Sequence, residues 1–174
     1  WLHETKIEWN HWDAYKQLLQ SEGKSEDVIS EHERVIDAAL DMSGNPMNEG
    51  SWPPRKGLIM GNVQAGKTMN FIGLLNKSLD VGYHTIIVLG GHMDELRKQA
   101  QIRIDEGVIG RDTSRLEVND IDISEQSGPI GVAKFLRPGV ERPTPITTRT
   151  SDFGSTVADS NRTEISLHPV VLVI

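Results

Sequence analysis

Gly57-Leu58-Ile59-Met60-Gly61-Asn62-Val63-Gln64-Ala65-Gly66-Lys67-Thr68 decides the reading of this chain. Its first five residues read as a short apolar strand, and a helix is expected from Lys67 to about Asp80. From Gly61 to Thr68 the residues fit G-x-x-x-x-G-K-[ST], the phosphate-binding loop. The glycines let the backbone curl so that successive N–H groups point at phosphate oxygens. The helix that follows turns its positive end toward the same anion. Lys67 reaches the β- and γ-phosphates as a point charge, and the Thr68 hydroxyl can ligate Mg²⁺. The expected nucleotide-binding set is Gly61, Asn62, Val63, Gln64, Ala65, Gly66, Lys67, Thr68 and Met69, with Lys67 also catalytic. ATP and Mg²⁺ are the expected ligands.

Downstream, Val81-Gly82-Tyr83 turns into a second strand, Thr85-Ile86-Ile87-Val88-Leu89. Another helix follows over residues 93–105, with Leu96, Ala100, Ile102 and Ile104 on or near its apolar face. Strand, helix, strand, helix at this spacing is the signature of a parallel α/β sheet. Upstream, residues 1–48 read as helical. Trp12, Tyr15, Leu18 and Leu19 recur at helical spacing, as do Val28, Ile29, Val35, Ile36, Ala39 and Leu40. Ser25 is the expected N-cap of the second helix, and Ser43-Gly44-Asn45-Pro46 its stop. Trp1, Trp9 and Trp12 crowd the start of the chain, which reads as a helix docked onto the body by large aromatics before it reads as a partner-binding surface. Between residues 107 and 168 prolines and polar residues break the pattern. Arg115-Leu116-Glu117-Val118 and Pro145-Ile146-Thr147-Thr148 are candidate short strands, and Pro169-Val170-Val171-Leu172-Val173-Ile174 reads as a buried one.

With 174 residues, 37 % hydrophobic and 25 % charged, the chain has the size and make-up of a globular domain. No apolar run approaches the roughly 20 residues that cross a bilayer. Trp1-Leu2-His3-Glu4-Thr5 lacks the features of a signal peptide, and cysteine is absent, so a cytoplasmic protein is expected. Eighteen Lys and Arg against 25 Asp and Glu leave a net charge of -7, so nucleic-acid contact needs a local basic patch. The six histidines show no metal-ligand spacing, and none is assigned to a metal. Asn76-Lys77 lies inside the loop's own helix, unlike the base-reading element of a GTPase, and no arginine-rich kinase lid is evident. Hydrolysis needs an acidic residue at a strand end to hold Mg²⁺, and none of the strands ends on an Asp-Glu pair. Starting without Met and stopping on an apolar strand, the chain reads as a fragment that binds ATP but scarcely hydrolyses it.

The loop region through Met69-Asn70-Phe71 resembles the start of the Z1-domain proteins, whose loop usually reads Val-Gln-Ser-Gly-Lys-Thr. Leu96-Arg97-Lys98-Gln99-Ala100-Gln101-Ile102-Arg103 is similar to that family's Leu-Arg-x-Gln-Thr-Gln-x-Arg signature. Thr147-Thr148, Asp152-Phe153 and the closing apolar run add to the likeness, while Ala65 and Ala100 depart from it by small changes. The resemblance implies a superfamily 2 helicase-like P-loop ATPase of endonuclease type, found beside DNA methylases in bacterial restriction systems. It also implies an acidic Mg²⁺ motif and a second lobe beyond Ile174. The expected architecture is a helical segment at residues 1–48, then part of a RecA-like α/β domain at residues 49–174.

In helicase-like ATPases the segment after the second strand touches the nucleic-acid backbone, so Arg97, Lys98, Gln101 and Arg103 are the candidate DNA contacts. Interleaved Asp94, Glu95, Asp105 and Glu106 allow instead a solvated helix with i,i+4 ion pairs. Trp52-Pro53-Pro54-Arg55 reads as a linker before it reads as an adenine platform. Glu4-Thr5-Lys6 and Glu22-Gly23-Lys24 lack the upstream strand Asp of a nuclease site. The competing function is a nucleotide-binding regulatory or signalling module without translocase or nuclease activity.

Overall fold

The computed structural model describes residues 1–4, 6–48, 54–60, 66–115, 128–151 and 169–174. The chain divides into two compact units, Trp1–Tyr83 and His84–Ile174.

The first unit is helical. It contains α1 (Asn10–Ser21), α2 (Glu26–Ser43) and α3 (Lys67–Asp80). Ser25 does stand at the N-cap of α2, and Gly44 ends that helix with φ +97°. Trp12, Tyr15 and Leu19 of α1 and Ile29, Ile36 and Leu40 of α2 are buried, whereas Val28 and Val35 face outward. The helix-forming stripe is thus narrower than the apolar residues alone suggest. α2 and α3 run side by side in the same direction. His32 lies against Gly66, Ile36 against Gly73, and Leu40 packs with Val81. Gly73 makes the middle contact possible, because a Cβ there would fall 2.5 Å from Ile36 Cδ1 and 3.0 Å from the Trp12 ring. The N-terminus of α1 has no side-chain cap of its own. Asp80, the last residue of α3, supplies it: its two oxygens accept the His11 and Trp12 N–H groups at 2.9 Å each.

One expectation changes here. Residues 57–60 belong to no strand, and Leu58 and Met60 are 82 % and 84 % exposed. A short apolar run gives no periodicity to separate a strand from an extended segment, and the strands of the sheet come from other residues. In the structure α3 packs with α1 and α2.

The second unit is α/β. Its strands are β1 (Thr85–Val88), β2 (Thr144–Pro145) and β3 (Val170–Val173), all parallel, in the order β1-β3-β2. Thr85 pairs with Val170 and Val88 with Val173, while Thr144 and Pro145 pair with Val170 and Val171. β3 is buried along its length, as a continuous apolar run in a central parallel strand should be. Ile146 packs with Val170 and Leu172 at the core of this unit. After β1 comes α4 (Asp94–Ile104), which continues into a π-helical turn, Asp105–Ile109, closed by Gly110 at φ +73°. Single 3₁₀ turns occupy Thr113–Arg115 and Gly131–Lys134. Among the described residues no helix is long and apolar enough to cross a membrane.

Candidate functional site

Gly66 opens α3 in the left-handed conformation, φ +69°, which glycine adopts without steric cost. A second constraint acts on it. An ideal Cβ at Gly66 would fall 2.4 Å from Cε1 and 2.6 Å from Nε2 of His32. The imidazole therefore occupies the space any larger residue would need. The ring is held from its other side, where His32 Nδ1 meets Asn70 Oδ1 at 2.5 Å. An amide oxygen only accepts, so Nδ1 carries the proton of this bond. Asn70 N in turn donates to Gly66 O at 3.1 Å. His32, Gly66 and Asn70 form one closed unit at the first turn of α3.

That first ladder bond leaves the N–H groups of Lys67, Thr68 and Met69 ahead of the helical hydrogen-bond series, at the positive end of the helix dipole. No acidic residue lies in this first turn. Lys67 and Thr68 are exposed there, whereas the Met69 side chain is buried, so Met69 offers a ligand only its backbone. Gly61, Asn62, Val63, Gln64 and Ala65, the rest of the expected phosphate loop, lie outside the described residues. The donor set that is described suits Mg²⁺–phosphate: a hydroxyl oxygen, an ammonium and the N-terminal end of a helix.

Residues 54–60 and α2 border a groove of about 1030 Å³. Val35, Ala39, Met42, Leu58 and Tyr83 supply apolar walls, and the groove extends to Met60, the residue before Gly61. Arg55 donates from Nη1 to Met42 O at 3.1 Å, while Trp52 lies outside the described residues.

Farther along α3, Asn76 and Lys77 are buried. Lys77, 2 % exposed, pairs with Glu33 at 2.7 Å and with Asp37. Its ammonium also lies 4.6 Å and 4.9 Å from the centres of the Trp9 and Trp12 rings. This lysine holds helices together and reads no base.

The four candidate DNA contacts separate. Lys98 and Arg103 are on the surface, Lys98 paired with Asp94 at 2.5 Å. Arg97 and Gln101 are buried. Arg97 donates to the carbonyls of Thr148 at 3.0 Å and Arg149 at 3.4 Å. Gln101 accepts from Thr147 Oγ1 at 2.9 Å and donates to Asp105 Oδ1 at 2.9 Å. The Thr147 hydroxyl also accepts the Val173 N–H at 2.7 Å, tying β3 into the network. Asp105 is fully buried and takes three further bonds: from Thr113 N, from Thr113 Oγ1 and from Arg149 Nε. Burial pushes its carboxyl above the usual carboxylate range, while these hydrogen bonds act in the opposite direction. So α4 turns a polar face inward, Arg97, Gln101 and Asp105, and leaves Leu96 43 % exposed. The sheet-end loop after β2 presents carbonyls and hydroxyls rather than methyl groups, and such groups need polar partners when buried.

Sequence reasoning missed His32, because histidines were weighed only by metal-ligand spacing. It also missed Thr113, Thr147 and Arg149; only the i,i+4 spacing of Gln101 and Asp105 pointed to a shared helix face. Comparison with protein families, characterised proteins and solved structures gives no match to this chain.

Proposed function

We propose that this chain binds ATP with Mg²⁺ through residues 61–68, as the nucleotide-binding part of a helicase-like ATPase of the Z1 type acting on DNA in a bacterial restriction system. The observation that carries the reading is the start of α3. A left-handed Gly66 leads into a helix whose first turn exposes Lys67 and Thr68 and contains no carboxylate. Lys67 neutralises the β- and γ-phosphates, the helix-end N–H groups bind their oxygens, and the Thr68 hydroxyl holds Mg²⁺, which supplies charge neutralisation. The groove ending at Met60 has the volume of a nucleoside site. The test is a titration of the purified chain with ATP and Mg²⁺. Lys67→Ala should weaken binding at least about tenfold, since a charged contact contributes about 1.5–3 kcal/mol. Unchanged affinity in a folded variant rules the loop out. ATP hydrolysis by the chain should remain far below that of a working ATPase.

The burial of Arg97 and Gln101 favours a second reading, a nucleotide-binding regulatory module that never moves along DNA. In the longer protein implied by the resemblance, Lys98→Ala with Arg103→Ala separates the two. A helicase-like motor loses DNA-stimulated hydrolysis more than basal hydrolysis; a regulatory module shows no DNA stimulation to lose.

A further inference from the structure

We infer that His32 is a positioning residue of the phosphate site, through which α2 sets the conformation of the loop's last glycine and the first turn of α3. The inference rests on the nucleotide-binding reading above and adds a residue that lies far from the loop in sequence. His32 is partly buried on α2, and its ring fills the volume beside Gly66 that a Cβ would otherwise occupy. Its Nδ1–H fixes the Asn70 amide, whose own backbone N–H bonds Gly66 O. The ring thus braces both the left-handed residue and the turn that aims the N–H groups of Lys67, Thr68 and Met69. Anion binding at a helix end depends on those groups converging before the ligand arrives, because ordering them on binding lowers affinity. No acidic side chain in this first turn competes with phosphate for the same donors. Ile36 against Gly73, together with the Lys77 ion pairs to Glu33 and Asp37, anchors α2 along the rest of α3. The brace therefore sits on a fixed base, and removing the ring alone should leave the helices packed.

The two nitrogens of the ring can be told apart. An Asn side chain at position 32 places its amide nitrogen near where Nδ1 now stands, keeping a donor for Asn70 Oδ1, whereas Ala removes both brace and bond. The experiment titrates wild type, His32→Ala, His32→Asn and Lys67→Ala with a fluorescently labelled ATP in Mg²⁺, with thermal unfolding followed in parallel. His32→Ala should lose about fivefold in affinity, the size of one net hydrogen bond, with His32→Asn, which keeps the bond but not the ring, recovering part of it. The midpoints of unfolding should stay close to wild type in both. Wild-type affinity in His32→Ala overturns the inference, and so does a His32→Asn variant as weak as His32→Ala. Should His32→Ala unfold, His32→Asn against Asn70→Ala gives the same comparison: loss in Asn70→Ala alone supports the brace, and loss in neither overturns it. A wild-type chain that binds no labelled ATP, or a Lys67→Ala variant that binds it normally, is a failure of the nucleotide reading itself.

Discussion

Arg149 donates Nε–H to Asp105 Oδ2 across 2.8 Å, joining the loop after β2 to the π-helical turn that extends α4. Asp105 has no exposure, whereas Arg149 retains some and also approaches Asp112 at 3.4 Å. The carboxylate is therefore the member that cannot rehydrate if its partner leaves. Arg149→Ala should destabilise the second unit by about 3 kcal/mol, because a buried charge then loses its counter-ion. Asp105→Asn with Arg149→Ala should cost less than Arg149→Ala alone. Urea unfolding of the two variants against wild type checks this; equal losses would remove the charge argument.

Asp80 caps the N-terminus of α1 from the end of α3, and burial raises its pKa from the usual 3.8 to about 6. The folded state thus binds a proton between about pH 4 and 6 that the unfolded chain does not hold. Stability contributed by this group consequently rises as pH falls through 6, by up to about 1.4 kcal/mol per unit, and is absent above it. His11, whose pKa burial lowers, works in the opposite direction but is shared by wild type and variant. The difference in unfolding free energy between wild type and Asp80→Asn should grow in favour of wild type from pH 7 to pH 5. A flat difference would show that the carboxyl titrates as it does in water.

Lys77 brings one ammonium to two carboxylates and two indole rings. Lys77→Ala should cost about 3 kcal/mol through the unpaired carboxylates and the space left behind. Lys77→Met fills that space, so it should lose less. Tryptophan fluorescence during denaturation follows both, since Trp12 also donates to Glu33 Oε1 at 2.7 Å. Equal losses would make volume irrelevant at this position.

Replacing a mid-helix glycine by alanine usually stabilises by about 1 kcal/mol. At Gly73 the sign should reverse, because the added methyl meets Ile36 and the Trp12 ring. Ile36→Val in the Gly73→Ala background should recover part of the loss by withdrawing Cδ1. A Gly73→Ala variant with a raised unfolding midpoint would show that α2 moves away without cost.

Much of this architecture was legible because the signals were local. Lys67 and Asp80 bound α3 as the loop motif and the following turn require, and Gly44 stops α2 because a positive φ suits glycine. β1 and β3 stood out as continuous runs rich in β-branched residues. Residues 57–60 were as apolar as either, yet apolarity marks what can be buried and not which neighbour buries it. On α4 the same limit inverted the faces: Leu96 and Ile102 suggested the core side, while Arg97 and Gln101 occupy it. Their partners, Thr147, Thr148 and Arg149, come from a proline-broken stretch whose place beside α4 depends on β2 pairing with β3. Contacts of that kind leave no periodic trace. His32 was hidden for the same reason, since its meeting with Gly66 exists only once α2 and α3 lie parallel.

The strand order carries a consequence for how the chain is made. Among the described residues β3 separates β1 from β2 and is the strand that both pair with, so this pairing waits until residues 170–173 have been synthesised. The helical unit, Trp1–Tyr83, is complete in sequence before any strand of the second unit and can begin to form while the rest is still emerging from the ribosome. The sheet must wait, with Ile86 and Ile146 uncovered over the whole interval and a long loop to close between β1 and its partner. A product that stops short of residue 170 would therefore carry β1 and β2 without the strand that pairs with them, and such unpaired strands are prone to self-association.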